Sequence, residues 1–249
     1  MAVGICAALA REARTLTRVP PAAGTCLRLA DGRLLAVAGV GARRARIGGT
    51  QLLDSGAKAL VSWGTAGALD PTLEAGTLLL PQRVIAPDGR ALLADRNWQE
   101  HVLESLDGRV SAHAGPLAQV GRVIRTPDEK RDLHRRSGAV AIDMESAALA
   151  DLAREAGVPF LAVRAVTDTA GMTIPASITR AVDGTGRLRL ARLLLGVLSR
   201  RGDLLTLLQL GRCFRMARTT LTALAKTTPL FSDPRHTAIE RTKNGGPQP

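Results

Sequence analysis

The chain contains no tyrosine, and aromatic residues make up only 2% of its 249 positions. A core built without aromatics must be filled by Ala, Leu and Val, which bring the hydrophobic fraction to an ordinary 45%. With so few aromatics there is no stacking platform for single-stranded nucleic acid. Cysteine is scarce as well: Cys6, Cys26 and Cys213 share no disulfide, metal or redox spacing. His101, His113, His134 and His236 are scattered, so no metal site is expected. No apolar run is long enough without charges to span a bilayer. Met1 leads directly into an apolar stretch, lacking a basic n-region and a cleavage motif. A reduced, cytoplasmic protein is therefore expected.

Charge is abundant but unevenly placed. The net charge is +12, of which residues 1–179 carry +3 and residues 180–249 carry +9. The basic character thus belongs to the C-terminal quarter. There, Leu188–Ser199 reads as a Leu-rich helix with Arg189 and Arg192. After Gly202, Leu204–Ala225 reads as a second helix, with Leu204, Leu207, Leu208, Phe214, Leu221 and Leu224 opposite Arg212, Arg215 and Arg218. Two basic helices with Leu-rich faces suit an anionic membrane surface, or else their apolar faces pack on the body or on a second subunit. Thr227–Pro249 is rich in Pro, Thr and charge and is expected to lack a packed core.

The body reads as alternating strands and helices. Ala2–Ala8 is an apolar strand, followed by Leu9–Arg18, a helix or loop carrying Glu12. Cys26–Leu29 and Leu34–Ala38 flank Asp31-Gly32, a hairpin signal. Gly39–Arg44 then turns into a helix reaching about Leu53. It fails the dinucleotide fingerprint because Arg44 stands where the last glycine would be. Ala59–Trp63 is a strand running into Gly64–Leu69, whose glycines allow backbone to approach a ligand. Without Gly-Lys-Ser/Thr this is not a P-loop. Leu78–Ala86 continues as strand, and Pro127–Arg136 reads as a charged helix.

Residues 140–170 concentrate the chemistry. Val140–Ile142 is a strand, Ser146–Ala156 a helix closed by Gly157 and Pro159, and Phe160–Val166 a buried strand. Glu145 and Asp168 are thereby delivered to strand ends, where open α/β sheets bind ligands. Each acid here also has an ordinary role: Asp143 or Ser146 can cap the helix, and Asp168 can cap the segment after its strand. Glu12 can likewise be a first-turn carboxylate favoured by a helix dipole.

The pattern Asp-Met-Glu-Ser at 143–146, with Val-Arg-Ala-Val-Thr-Asp at 163–168, resembles the nucleoside phosphorylase/nucleosidase superfamily, particularly its methylthioadenosine/S-adenosylhomocysteine nucleosidase branch. GICAALAREA, the Gly39–Arg44 turn, GTAGAL and DPTLEAGTLLLP fit the same family, and the resemblance covers roughly residues 3–180. It implies an α/β fold of three layers, a mixed central sheet flanked by helices, over residues 1–186. A basic helical extension (187–226) and a tail (227–249) would complete the chain.

By the same resemblance, Asp168 is the acid that protonates the leaving purine. Its apolar flanks are expected to disfavour its charged form. Glu12 holds the attacking water, Glu145 accepts the ribose hydroxyls, and Met144 packs beneath the sugar. Thr167 fixes Asp168; Thr65, Ala66 and Gly67 line the purine and ribose. Val123 or Ile124 takes the place of a base-stacking Phe. No cofactor is implied. The acceptor is water or phosphate: Ser62-Trp63 stands where relatives using phosphate carry an Arg, while Arg11, Arg14, Arg43 and Arg44 lie nearby.

The segment 87–111 is short and offers only Trp98 to a pocket. Together with the Leu-rich basic extension, this resembles the hopanoid-associated phosphorylases, which implies adenosylhopane as substrate and ribosylhopane as product. A homo-oligomer, peripheral at the inner face of the cytoplasmic membrane, is the corresponding expectation. The alternatives are a soluble methylthioadenosine/S-adenosylhomocysteine nucleosidase, with the tail as a subunit interface, and a basic nucleic-acid-binding protein. The alternation of Arg with Leu-rich faces disfavours the last.

Overall fold

Strand β1 (Ala2–Ala7) is apolar on both faces, as a strand covered by helices on each side must be. Val3, Ile5 and Ala7 belong to one core and Cys6 to another, so the sheet divides two hydrophobic layers. The computed structural model describes residues 2–106, 112–176 and 203–226. After β1 come helix α1 (Ala10–Ala13), strands β2 (Cys26–Arg28) and β3 (Leu34–Val37), α2 (Ala42–Asp54) and the long β4 (Ala57–Ala68). Short strands β5 (Leu78–Leu79), β6 (Arg83–Ile85) and β7 (Ala91–Leu93) lead to α3 (Arg96–Glu104). Then come β8 (Ala112–His113), β9 (Leu117–Gln119), α4 (Pro127–Ser137), β10 (Ala141–Asp143), α5 (Ser146–Ala156), β11 (Phe160–Asp168) and α6 (Asp203–Leu224).

The described strands form one mixed sheet in the order β2-β3-β1-β4-β10-β9-β6-β7, with β11 on β4 and β5, and β8 on β5. β3, β1, β4 and β11 run parallel, so their carboxyl ends share one edge. On one face α2 and α5 supply Ala45, Leu52, Leu149 and Leu152. On the other, α1, α3 and α6 supply Ala13, Trp98, Val102, Leu221 and Leu224. This is the three-layer α/β arrangement. Small residues replace aromatics in bringing layers together: a Cβ on Gly49 would sit 2.7 Å from the methyls of Leu149 and Leu152.

Three expectations change. β4 does not stop at Trp63 but continues to Ala68, because residues 64–68 find partners on β11 and, antiparallel, on β10. The run 78–86 is two strands, not one, interrupted at Pro81, which has no N–H for a ladder. Trp98 does not reach a pocket; it is 1% exposed in the core, on a helix capped by Asp95 accepting from its backbone N–H. For α6, of the two readings left open, the described residues show its apolar face packed on the body. Cys213, Ala217, Leu221 and Leu224 are buried against the sheet, while Arg212, Arg215 and Arg218 face outward. Burial of Leu221 and Leu224 alone contributes roughly 1.5–3 kcal/mol each. The expected helix 188–199 and the tail 227–249 lie outside the described residues.

Candidate active site

Glu12 sits on the short helix that leaves the carboxyl end of β1 and is 4% exposed. Its Oε1 accepts from both the backbone N–H and the hydroxyl of Thr65, each at 2.9 Å, and its Oε2 from Leu9 N at 3.0 Å. The helix is held in turn from below: Trp63 Nε1 donates to Thr15 Oγ1, and Thr15 Oγ1 donates to Glu12 O. Gly64 makes this possible, since a Cβ there would lie 2.6 Å from Glu12 Oε1. Burial pushes the Glu12 carboxyl above its ordinary range, with the Arg164 guanidinium opposing.

Glu145 lies at the start of α5 and is half-buried. Its Oε1 accepts from Gly41 N at 2.8 Å and its Oε2 from Met144 N at 3.2 Å. Burial first, and then the like charge of Asp143, push its pKa up to about 7. Beneath it neither Asp143 nor Ser146 is the N-cap of α5: that position is Glu145, without a side-chain cap bond, while the Asp143 carboxylate accepts from Ser146 N. Asp143 also takes both Nε and Nη2 of Arg164, the latter at 2.7 Å, while Arg164 Nη2 reaches Ser62 Oγ and Ser146 Oγ. The pair is 2% and 1% exposed, a buried bridge whose remaining polar atoms are satisfied by two serines and a carbonyl.

Asp168 ends β11, in register with Gly67 of β4. A Cβ on Gly67 would meet its Oδ2 at 2.9 Å, so glycine is required for this approach. Beyond the apolar flanks read from the sequence, Asp168 meets a cation. Its Oδ2 pairs at 2.7 Å with Lys130 Nζ, a lysine of α4 that is fully buried. Thr167 Oγ1 lies 3.1 Å from Asp168 Oδ1 and 3.2 Å from Ala66 O. Its single proton can go to the carboxylate, or to the carbonyl when Oδ1 itself carries a proton. The site therefore accommodates both protonation states without moving a heavy atom.

The three acids thus converge on the strand-end edge, with Thr65, Ala66 and Gly67 running between Glu12 and Asp168 as strand and not as loop. Met144 is half-exposed beside Glu145. Ile124 is not brought in: it is 8% exposed in a cluster with Leu69, Ala118, Ala139 and Ile142, leaving Val123, half-exposed, at that place. Ser62 and Trp63 are fully engaged in the interior. Arg11 is spent elsewhere, 5.9 Å over the ring of Phe214 on α6. Arg43 and Arg44, with Val40, Gly41, Ala42 and Ile47, line a cavity of about 380 Å³. Among the described residues no cluster of three metal-ligating side chains occurs. Sequence reading missed Lys130 and the Asp143–Arg164 bridge. The available signal for Lys130 was its spacing, three residues before Leu133 on the inward face of a helix otherwise polar.

Four carboxylates (Glu12, Asp143, Glu145, Asp168) thus share the region with two buried cations, Arg164 and Lys130. Asp143 and Asp168 are paired with these cations, while burial pushes the carboxyls of Glu12 and Glu145 toward their neutral forms.

Comparison with known proteins agrees with this architecture. The family model described as the phosphorylase superfamily matches residues 24–199. The 5′-methylthioadenosine/S-adenosylhomocysteine nucleosidase of Mycobacterium tuberculosis is 29% identical, over 55% of this chain and 70% of its own length. That of Staphylococcus epidermidis is 27% identical, over 55% and 68%. Among solved structures, the nucleosidase of Neisseria meningitidis with methylthio-immucillin-A superposes with a TM-score of 0.68 at 15% identity, covering 92% of this chain and 98% of that one. The futalosine hydrolase of Helicobacter pylori gives 0.64 at 15% identity, covering 90% and 97%. At such identities these structures establish the shared fold.

Proposed function

Because the chain belongs to the phosphorylase superfamily, we propose that it is a purine nucleosidase, cleaving the N-glycosidic bond of a 5′-modified adenosine with water and releasing adenine. The observation that carries this reading is the convergence of Glu12, Glu145 and Asp168 on one sheet edge, each placed by backbone contacts. As the C1′–N9 bond breaks, its electron pair passes to the purine, and Asp168 Oδ1 delivers a proton to N7. Positive charge gathers on the ribose, which Glu145 faces. Each Glu145 oxygen uses one acceptor position on a backbone N–H, and the other is free for a ribose hydroxyl. A water held by Glu12 attacks C1′ and gives its proton to that carboxylate, whose raised proton affinity suits the task. Water and nucleoside become adenine and a 5-modified ribose.

Ser62-Trp63, engaged in the interior, offers phosphate no ligand, which supports water as the acceptor. The named relatives favour methylthioadenosine or S-adenosylhomocysteine as substrate. The test is Asp168→Asn: adenine release should fall by a factor of roughly a hundred or more while the melting transition survives. A mutant with near-wild-type turnover would refute the assignment.

A second reading, adenosylhopane at a membrane surface, is favoured by two observations. Trp98 is withdrawn into the core, leaving the described part of 87–111 without a pocket aromatic. The outer face of α6 sets Arg212, Arg215 and Arg218 beside Leu208 and Met216, 64% and 44% exposed. An anionic bilayer would be its partner, and no described helix is long and apolar enough to cross one. Co-sedimentation with anionic liposomes at low and high salt tests it, because a protein that stays in the supernatant at low salt contradicts it.

A further inference from the structure

Lys130 lies on a helix read from sequence as charged, yet its side chain is fully buried, the deepest charged group described. Burying an ammonium is costly unless every proton is used. Here all three are placed: on Asp168 Oδ2 at 2.7 Å, on Thr169 O at 2.6 Å, and on Met172 O at 3.3 Å. The two carbonyls belong to the segment directly after β11. That segment is tied to the loop before α4 by reciprocal contacts, Ile174 N to Arg125 O and Arg125 Nε to Ile174 O. A capping box at Thr126 and Glu129 fixes where α4 begins, and so where Lys130 enters.

We infer that Lys130 is a positioning residue, holding Asp168 by Oδ2 so that Oδ1 is presented to the N7 edge of the bound purine. This inference rests on the proposed role of Asp168. The division of labour comes from the partners. Oδ2 is committed to an ammonium that has only protons to give. Among the described residues Oδ1 meets only the Thr167 hydroxyl, which can turn to Ala66 O when Oδ1 is protonated. Oδ1 is therefore the oxygen through which a proton passes, and Lys130 keeps the carboxyl from rotating Oδ2 into its place. A purine that already carries a proton at position 7 should accordingly be gripped by Oδ1, and a purine with carbon and no donor there should not.

The test is binding, independent of turnover. Two 5′-methylthio nucleosides of equal shape are titrated by calorimetry into wild type and Lys130→Met. One carries 9-deazaadenine, with an N–H at position 7, and the other 7-deazaadenine, with a C–H. Wild type should prefer the N–H ligand by roughly tenfold or more, the worth of one charge-assisted hydrogen bond. In Lys130→Met that preference should collapse to within about threefold, mainly by weakening of the N–H ligand. A Lys130→Met protein that retains the full preference, or that loses both ligands alike, overturns the inference. If Lys130→Met does not fold, Lys130→Gln, which retains two donors without the charge, takes its place under the same criteria. A wild type with no preference points instead to failure of the Asp168 assignment, and the inference falls with it. Wild type binding neither ligand would refute the nucleosidase reading itself.

Discussion

Replacing Gly64 with Ala should disable the site while leaving the fold in place. The added Cβ would stand 2.6 Å from Glu12 Oε1, 2.8 Å from Cδ and 3.0 Å from Oε2. Ordinary contact begins near 3.4 Å, so the carboxylate must retreat by about 0.8 Å. The two Thr65 bonds to Oε1, both at 2.9 Å, would then exceed hydrogen-bond range. A displacement of this size in a group that aims a reactant costs on the order of a hundredfold in rate. Loss of hydrogen bonds to a charged group costs about 1.5–3 kcal/mol of stability, a melting shift of several degrees for a chain of this size. The assay is adenine release from methylthioadenosine, with a thermal melt on the same sample. Gly211→Ala, on the exposed face of α6 with open space around it, serves as the control and should keep full activity. A Gly64→Ala enzyme within about threefold of wild type would refute the reasoning that Glu12 must be held where it stands.

Leu221→Ala on α6 should cost about 2–5 kcal/mol, because Leu221 is 1% exposed in the core beneath the sheet. A melting temperature unchanged by that substitution would mean that α6 does not belong to the body. The pH profile of kcat/KM should show an acidic limb centred near 7, since Glu145, pushed up to about 7, is protonated below that pH and ionised, hence active, above it. A limb centred in the ordinary carboxylate range, with full activity at pH 6, would contradict this. Glu145→Gln should lose more activity on ribonucleosides than on their 2′-deoxy analogues, because the hydroxyl contact exists only in the former. Equal losses on both would remove Glu145 from the hydroxyl-binding role.

Much of the parallel body was legible because its signals are local. The Asp31-Gly32 hairpin, the helix closed by Gly157 and the buried apolar run of β11 each carry their cause within a few residues. The same holds for Glu145 and Asp168, placed at strand ends by that periodicity. The features that escaped depend on partners distant in sequence. The extension of β4 past Trp63 is decided by β10 and β11, about 75 to 100 residues downstream, because pairing and not propensity sets where a glycine-rich strand ends. Lys130 reads as one more charge on a polar helix until the fold turns it onto Asp168. The apolar face of α6 was equally suited to lipid or to protein, and only the sheet's exposed underside decides between them for residues 213–224.

The central claim is hydrolysis of an adenosine N-glycosidic bond, and its most direct test is to incubate the purified chain with methylthioadenosine in ¹⁸O-labelled water, with and without phosphate. Hydrolysis predicts free adenine in both cases, and 5-methylthioribose carrying one ¹⁸O at C1. Release of adenine only when phosphate is present, with unlabelled 5-methylthioribose 1-phosphate as the product, would contradict it.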